Sequence, residues 1–475
     1  SPFSLQTDFI GVDRIEVLRG PQGTLFGQNS TGGAINVVTK APSLNESYSS
    51  GSLTLGEYNM TKLSGSASGP IFENVAATFS FTKTKRDGFS TNIFNGQDLD
   101  DDDSYSVRND YFIDLDDSSS LRIFGQYANI DSNGSAMKGL DDTTVGARNL
   151  KQDSLSELKL TSSVLAGIYE KDLGYANLKV LASSQSDSIS VRRDNDRHFY
   201  QDAAPSLIGV STYQRSEYRF ETSDVKTKTF EINLISNEPL IDGKLDWTVG
   251  AFYMDHEIEN HIREYLDEWD SSANAAGQDG IFKYVCGEPF ADPNYCVDGS
   301  PSLGTAAYGP AAELGFVTDA FPERRSLSIF GQTTYSFDDT LRLISGFRYT
   351  RDNFLTDVTN FFGGIPWEIF NEDETDEESS GRLTLEYDLD ADSMMYVSQT
   401  RGFKPGGTNL TFGYTEAEDA AASRPVAPAM VLPTFKSETL DSTEIGFKTE
   451  FLDGRALANI AIFDYTYKNL QVQGT

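Results

Sequence analysis

Hydrophobic and polar residues alternate along most of this chain, and no other feature constrains its fold as strongly. In residues 326–337, alternate positions carry Leu327, Ile329 and Tyr335, whereas serine and threonine predominate on the other face. Residues 381–388 alternate in the same way. A period of two predicts half-buried β-strands. No comparably long segment shows the 3.6-residue period of an amphipathic helix, so the sequence predicts an all-β fold.

This alternation defines about fifteen strand candidates. Several of them are longer than ten residues, which exceeds most soluble strands and suits a tilted membrane crossing. The candidates lie near residues 47–56, 60–68, 74–84, 104–115, 120–130, 161–171, 175–193, 224–236, 244–264, 324–337, 341–356, 379–388, 393–403, 437–451 and 455–472.

The connections between the candidates alternate between short and long. The short ones carry turn residues, as in Gly69-Pro70, Asp242-Gly243 and Asp453-Gly454. The long ones run near residues 85–103, 131–160, 194–223, 265–323, 357–378 and 404–436. A soluble sandwich has no reason to place all of its long loops on one side, whereas an outer-membrane barrel has short periplasmic turns and long extracellular loops. The pattern therefore favours a transmembrane antiparallel β-barrel.

Composition narrows the possible functions. Lys and Arg number 38 against 72 Asp and Glu, which gives a net charge of −34 and argues against nucleic acid as a partner. The 2 cysteines exclude a disulfide scaffold and a four-cysteine zinc site. We find no nucleophile–base–acid constellation, so the sequence gives no reason to expect an enzyme.

The first forty residues differ from the rest of the chain. Residues 14–21 read Arg-Ile-Glu-Val-Leu-Arg-Gly-Pro, a Phe-Gly pair follows at 26–27, and residues 32–40 read Gly-Gly-Ala-Ile-Asn-Val-Val-Thr-Lys. Two short strands separated by glycine-rich turns are expected here. A phosphate-binding loop is not expected, because no Gly-Lys-Ser/Thr sequence is present.

This segment resembles the end of the plug domain in TonB-dependent outer-membrane receptors, with the motif carried by Gly20, Pro21, Gly27, Gly32 and Gly33. Stretches at 229–232, 250–253, 402–407 and 444–448 are similar to the family's barrel. The resemblance implies a barrel of about 22 strands plugged by an N-terminal domain. It assigns residues 1–42 to the C-terminal part of the plug and 43–475 to a barrel that is incomplete at its C-terminus. The chain is accordingly expected to be a fragment.

The family also implies a function. Its members import large, scarce solutes across the outer membrane of Gram-negative bacteria, using energy that TonB transmits together with ExbB and ExbD. A ferric siderophore is the default transported ligand, and vitamin B12 and glycans remain alternatives. No covalent cofactor is expected. The chain is expected to be a monomer in contact with outer-membrane lipid and lipopolysaccharide. A passive porin-like channel and a soluble secreted β-sandwich are the other classes considered.

In this family, plug arginines pair with barrel glutamates and hold the plug in place. The resemblance therefore assigns a plug–barrel lock to Arg14 and Arg19 in the plug and to Glu231 and Glu444 in the barrel motifs. These four residues could equally be ordinary charges that face the lumen.

Other candidate sites lie in the long loops and in the strand candidate at 244–264. Cys286 and Cys296 are expected to form a disulfide if their loop is extracellular, since no histidine lies near them to complete a metal site. His256 and His261 have an odd separation, which places them on opposite faces of a strand and argues against a shared metal.

Two groups of loop residues could contact an anionic ligand such as a ferric siderophore, although solvated loop ends and self-packing are simpler interpretations. They are a basic cluster and two tryptophans, namely Arg192, Arg193, Arg197, His198, Trp269 and Trp367. The acidic runs at 100–103 and 372–378 could bind Ca²⁺ or bridge to lipopolysaccharide through divalent ions, or could simply hydrate exposed loops.

Overall fold

The structure is a computed structural model of the chain. It describes residues 11–139, 142–152, 154–194, 213–270, 316–362, 365–408 and 434–472; within these ranges, side chains are not described at 213–218, 265–270, 316, 361, 362 and 365–370.

An antiparallel pair of strands opens the described chain. Strand β1 spans Val12–Arg19 and β2 spans Gly33–Thr39, with Val17 opposite Ile35. Between them, α1 forms a single helical turn at Gly23–Phe26. This two-stranded sheet does not share a ladder with the large sheet that follows. Residues 11–40 are called the inner segment below.

One sheet of 15 strands forms most of the molecule, and every neighbouring pair in it is antiparallel. Its edges are β3 and β22, which do not pair with each other among the described residues. In chain order the strands are β3 (Tyr48–Gly56), β4 (Met60–Phe72), β5 (Val75–Arg86), β8 (Asp102–Asp116), β9 (Ser119–Ser132), β11 (Glu157–Asp172), β12 (Ala176–Asp194), β13 (Tyr213–Ser236), β14 (Leu245–Asp270), β15 (Phe316–Ser336), β16 (Leu341–Phe362), β17 (Ile365–Asp388), β18 (Ser393–Lys404), β21 (Glu438–Phe451) and β22 (Ala456–Lys468).

Small elements lie between these strands. Strands β6 (Ser90–Asn92), β7 (Asp98–Leu99) and β10 (Asn149–Leu150) form a three-stranded sheet that joins two of the long connections. Strands β19 (Gly407–Thr408) and β20 (Thr434–Phe435) form a separate pair, and α2 is a four-residue turn at Leu240–Gly243. Within the described ranges, no helix is long and apolar enough to cross a membrane.

All fifteen predicted strands are present in the large sheet, which confirms the all-β fold. Two predicted connections are wrong. Gly69-Pro70 lies inside β4, and the turn follows at Glu73 and Asn74. Most of the predicted long loop at 357–378 belongs to β16 and β17, so the acidic run at 372–378 lies in a strand. The sequence hides this extension because apolar residues occur on both faces at 357–370 and residues 371–378 are all polar, so the alternation disappears while backbone pairing continues.

The two faces of the large sheet differ sharply. On one face, large apolar side chains are exposed, including Phe79, Leu165, Ile329 and Leu383. We call this the outer face. The opposite, inner face buries polar side chains at the intervening positions, among them Ser80, Ser328, Thr350, Asp352 and Thr384. A water-soluble sheet would bury the apolar face instead, so this arrangement is the one expected of a barrel whose outer surface contacts lipid.

Replacing Leu383 by serine tests this orientation. Leu383 is 53% exposed on the outer face of β17, and transfer of serine into hydrocarbon is expected to cost about 1–2 kcal/mol of unfolding free energy. Leu389 in the adjacent short turn is 51% exposed, so Leu389→Ser is a matched control that should change little. Urea unfolding in lipid vesicles measures both variants. Equal effects of the two substitutions would contradict the assignment of the outer face to lipid.

Aspartate side chains close several of the short turns. The Asp116, Asp172 and Asp390 carboxylates each accept a hydrogen bond from the backbone N–H two residues later, at 2.7–2.9 Å. Asp338 accepts three, from the Thr340 N–H and hydroxyl and from the Leu341 N–H. These bonds, that from the Thr340 N–H foremost, lower the pKa of Asp338. A lowered carboxyl pKa stabilises the turn above the unfolded-state pKa, and this contribution disappears as the pH falls through the lowered value.

Candidate functional site

The inner segment crosses the inner face of the sheet and is attached to it at two separate places. Its C-terminal end, at Thr39 and Lys40, bonds to β8 and β9. Its central turn, at α1 and the residues that follow, packs against β15, β16, β17 and β18. Because the surface beneath it is polar and buried, this junction is the candidate functional site.

The C-terminal attachment is a buried ionic cluster. Asp110, which is 1% exposed, accepts hydrogen bonds from Arg122 at 2.9 and 2.6 Å and from Arg108 at 3.2 Å. Both guanidinium groups also donate to the Thr39 hydroxyl, at 2.9 Å from Arg122 and 3.3 Å from Arg108. Arg122 further donates to the Lys40 carbonyl at 3.4 Å. One carboxylate thus orients two arginines that bind the end of β2.

Removing the Thr39 hydroxyl should loosen this end of the inner segment. Thr39→Val deprives two charged donors of an acceptor, which is expected to cost about 1–2 kcal/mol. The rate of tryptic cleavage after the exposed Lys40 should rise about 5- to 30-fold, because proteolysis follows the population of the opened state. Thr39→Ser keeps the hydroxyl and should resemble the wild type. Equal cleavage rates in all three proteins would exclude a holding role for this contact.

The central turn sits in a close-fitting seat of small residues. A Cβ atom on Gly23 would lie 2.8 Å from the Ser380 Cβ, and one on Gly346 would lie 2.7 Å from the Thr24 Cγ2. A Cβ on Gly402 would lie 3.2 Å from the Pro21 Cβ. The absence of side chains at these glycines therefore allows the inner segment to approach the backbone of β16 and β18.

Polar contacts extend this second attachment. The Asn29 N–H donates to the Phe403 carbonyl at 3.0 Å, and Arg324 donates to the Gln28 side-chain carbonyl. Arg324 is itself paired with Asp352 at 3.0 Å. Gly27 adopts φ 78° and ψ −151°, a conformation that favours glycine, and places its backbone against the Arg348 guanidinium.

Three of the four residues assigned to the plug–barrel lock have other nearby partners. Arg14 pairs with Glu16 at 2.7 Å and Asp13 at 3.1 Å, both within β1. Glu231 accepts a hydrogen bond from Asn233 at 2.7 Å, and Glu444 accepts one from the Tyr396 hydroxyl. In the described ranges no ion pair within 4.0 Å joins Arg14 or Arg19 to either glutamate. The lock therefore stays a prediction.

The motif residues of the inner segment occupy its turns. Gly20 and Gly33 have φ values of 71° and 142°, and a Cβ on Gly33 would lie 2.3 Å from the Leu18 carbonyl oxygen. Pro21 packs on Gly402, whereas a Cβ on Gly32 would meet nothing within 4 Å. Glycine is thus required most clearly at Gly33, where any side chain would collide with β1.

The remaining predicted sites are only partly visible. Cys286, Cys296, Arg197 and His198 lie outside the described residues. For Trp269 in β14 and Trp367 in β17, only the backbone is described. Arg192 lies opposite Glu157 in the sheet, and Arg193 lies opposite Arg219. Consecutive strand residues point to opposite faces, so Arg192 and Arg193 do not form one surface.

The two histidines in β14 have different surroundings. His256 contacts the Thr227 hydroxyl at 2.8 Å, whereas His261 contacts Asp319 at 2.6 Å and Glu259 at 3.1 Å. The parts of the chain that the structure describes contain no group of three or more His, Cys, Asp or Glu arranged to hold a metal ion.

Sequence reasoning missed the residues that do attach the inner segment, chiefly Arg108, Asp110, Arg122, Arg324 and Arg348. A usable signal was present: Arg108 and Asp110 are two residues apart in a strand and so share one face. Charged residues at the centre of a strand whose other face is apolar indicate a buried partner. The partner itself, Thr39, is separated from Arg122 by 83 residues and cannot be identified from local pattern.

Comparison with known structures supports the architecture. The ferric yersiniabactin uptake receptor FyuA from Yersinia pestis has a TM-score of 0.73 and 16% identity, over 98% of this chain and 62% of that one. The ferripyoverdine receptor of Pseudomonas aeruginosa has a TM-score of 0.65 and 17% identity, over 97% of this chain and 53% of that one. At such identities the likeness shows the fold alone, and this chain spans less than two thirds of either structure.

Among curated proteins, the vitamin B12 transporter BtuB of Vibrio vulnificus is 30% identical over 81 residues, which is 17% of this chain and 13% of BtuB.

Residues 46–475, which make up most of the chain, match the family described as TonB dependent receptor-like, beta-barrel. This family comprises transporters rather than enzymes, and its barrels lie in the outer membrane of Gram-negative bacteria. The chain therefore belongs to the TonB-dependent receptor β-barrel family.

Proposed function

We propose that this chain is part of a receptor that imports a large solute across the outer membrane with energy transmitted by TonB. The observation that carries the proposal is the inner segment, which is attached at two places across the inner face. A passive porin needs no such obstruction, so this segment favours gated transport over an open channel. We further propose that residues 1–42 act as the C-terminal part of a plug domain and 43–475 as the barrel.

A ferric siderophore is the proposed solute. The structural neighbours include the ferric yersiniabactin uptake receptor FyuA and the siderophore receptor PiuA of Acinetobacter baumannii. Vitamin B12 is the second candidate, because the sequence relative BtuB is a vitamin B12 transporter. Glycan uptake is a further alternative.

The proposed partners are TonB with ExbB and ExbD, together with outer-membrane lipid and lipopolysaccharide around the barrel. We retain as a proposal the plug–barrel lock at Arg14, Arg19, Glu231 and Glu444. A disulfide between Cys286 and Cys296 is also proposed. We also propose that the transported ligand contacts the basic cluster and the two tryptophans, namely Arg192, Arg193, Arg197, His198, Trp269 and Trp367.

Uptake by a deletion strain tests the function. Loss of radioactive ferric siderophore uptake under iron limitation, restored by the gene but not in a tonB background, is the expected result. Unchanged iron uptake combined with lost vitamin B12-dependent growth would assign the second solute instead. Uptake that persists without TonB would contradict energised import altogether.

A further inference from the structure

Arg348 is a buried cation without a directly paired anion. The described residues bury two arginines, Arg348 at 5% and Arg108 at 7% exposure. Arg108 is paired with Asp110, whereas no carboxylate among the described residues lies within the 4.0 Å ion-pair distance of Arg348. Glu231 and Asp352 act on it electrostatically from farther away. Burying a charge without a bonded counterion is costly, so this arrangement needs an explanation.

The surroundings of Arg348 compensate for its charge only in part. Its guanidinium lies 4.9 Å from the Phe330 ring and 5.5 Å from the Phe252 ring, at cation–π distance. Its Nε donates to the Thr350 hydroxyl at 3.4 Å, and that hydroxyl is 2.9 Å from the Ser328 hydroxyl. These side chains hold the guanidinium in place but supply no negative charge.

The inner segment covers this guanidinium. A Cβ on Gly27 would lie 3.1 Å from both the Arg348 Cζ and Nη2, so the glycine backbone rests directly on the charged group. Gly27 belongs to the turn that occupies the glycine-lined seat and is followed by Gln28 on Arg324. Any displacement of this turn would uncover Arg348 while the two aromatic rings remain beside it.

Arg342 provides a contrast within the same strand. It lies six positions before Arg348 in β16 and therefore on the same face. Its guanidinium donates to Asp388 at 2.6 and 3.0 Å and to Glu386 at 3.4 Å, so its charge is already neutralised. Of these two arginines, only Arg348 has no carboxylate of the described residues bound to it, and it can therefore bind an anion that enters the barrel.

We propose that Arg348, with Thr350 and Ser328, forms an anion-binding station inside the barrel that becomes accessible when the turn at Gly27 moves. The group it takes is an anionic oxygen ligand, such as a free carboxylate or a catecholate of a negatively charged metal chelate. The station acts after the initial binding step, on the path that the displaced segment opens. This inference rests on the proposed import function and specifies one residue of its pathway.

A transport assay tests the station on intact cells. The probes are an anionic ferric tricatecholate and an uncharged ferric trihydroxamate, both labelled with radioactive iron. Arg348→Gln should slow uptake of the anionic chelate at least about tenfold while surface binding is retained, because a charged hydrogen-bond donor has been lost. Arg348→Lys should recover most of this uptake. Arg342→Gln should leave the ratio of anionic to uncharged chelate uptake at the wild-type value. Equal uptake in Arg348→Gln and the wild type would overturn the proposal.

A conductance assay tests the same charge without a siderophore. In planar bilayers under a potassium chloride gradient, Gly402→Leu displaces the turn and opens the barrel. Adding Arg348→Gln should lower the permeability of chloride relative to potassium about twofold or more, because a cationic group in the passage has been removed. Adding Arg342→Gln to Gly402→Leu should leave this permeability ratio unchanged. An unchanged permeability ratio would refute an accessible anion site, and no conductance with Gly402→Leu would refute the covering turn.

The two assays separate the two ideas. If the deletion strain imports every tested solute normally, the proposed import function fails, and the chloride measurement still decides whether Arg348 is an anion site. If import is confirmed but both Arg348 readouts stay at wild-type values, only the station fails. Arg348→Gln that weakens the attachment of the turn alone would slow or speed both chelates equally, which also counts against the station.

Discussion

Replacing Asp110 by alanine is expected to release the C-terminal end of the inner segment from the barrel wall. Asp110 is the shared acceptor of Arg108 and Arg122, and the carboxylate side chain is 2% exposed. Without it, the buried Arg108 and the partly buried Arg122 lie close together with no counterion, and removing one partner of a buried pair costs about 3–5 kcal/mol. The Thr39 and Lys40 contacts should then weaken, because nothing orients their donors.

The unfolding midpoint in urea and the rate of tryptic cleavage after Lys40 measure this effect together. Asp103→Ala is the matched control on the same strand, since Asp103 pairs with Lys83 where both side chains are over 40% exposed. An exposed pair contributes about 0–1 kcal/mol, so the control should stay near the wild type. An Asp110 variant as stable as the Asp103 variant would show that the cluster does not hold the segment.

The strands could be predicted because period-two alternation is local and survives without knowledge of neighbours. Leu327 and Ile329 alternate with serines, and Leu383 and Leu385 alternate with polar residues, wherever the strand lies between lipid and the inner face. The signal failed where this contrast ends. In the outer parts of β16 and β17, apolar residues occur on both faces at 357–370 and residues 371–378 are all polar. That hairpin therefore resembled a loop in sequence, although its backbone ladder continues to Phe362.

The site was harder to predict because its contacts join distant parts of the chain. The resemblance implied that residues 14–40 lie against the barrel, and the lock that it implied at Arg14, Arg19, Glu231 and Glu444 stays a prediction. In the structure, hydrogen bonds join Thr39 of the inner segment to Arg122 and Gln28 to Arg324. Those pairs are separated by 83 and 296 residues, so no local sequence pattern indicates which side chains meet.

Gly402→Leu is expected to displace the central turn and make the outer membrane permeable to large solutes. Gly402 faces Pro21 and Thr31 of the inner segment, with a Cβ position only 3.2 Å from the Pro21 Cβ and 3.5 Å from the Thr31 Cα. A leucine side chain cannot fit without moving a proline ring or the backbone, neither of which yields as a flexible side chain would. Overpacking of this kind costs about 1–3 kcal/mol, which lowers the ratio of seated to displaced turn about 5- to 150-fold.

Sensitivity to vancomycin, which is too large for ordinary porins, reports the displaced state in living cells. Gly125→Leu is the matched control, because Gly125 lies in β9 with its nearest outside neighbour, the Val164 carbonyl oxygen, 3.9 Å from the Cβ position. Both variants add the same side chain, but only one adds it beneath the inner segment. If Gly402→Leu cells resist vancomycin as well as Gly125→Leu cells at equal barrel levels, the seat does not keep the passage closed. Sensitivity confined to Gly402→Leu would show that the absence of a side chain at Gly402 allows the turn to occupy its seat.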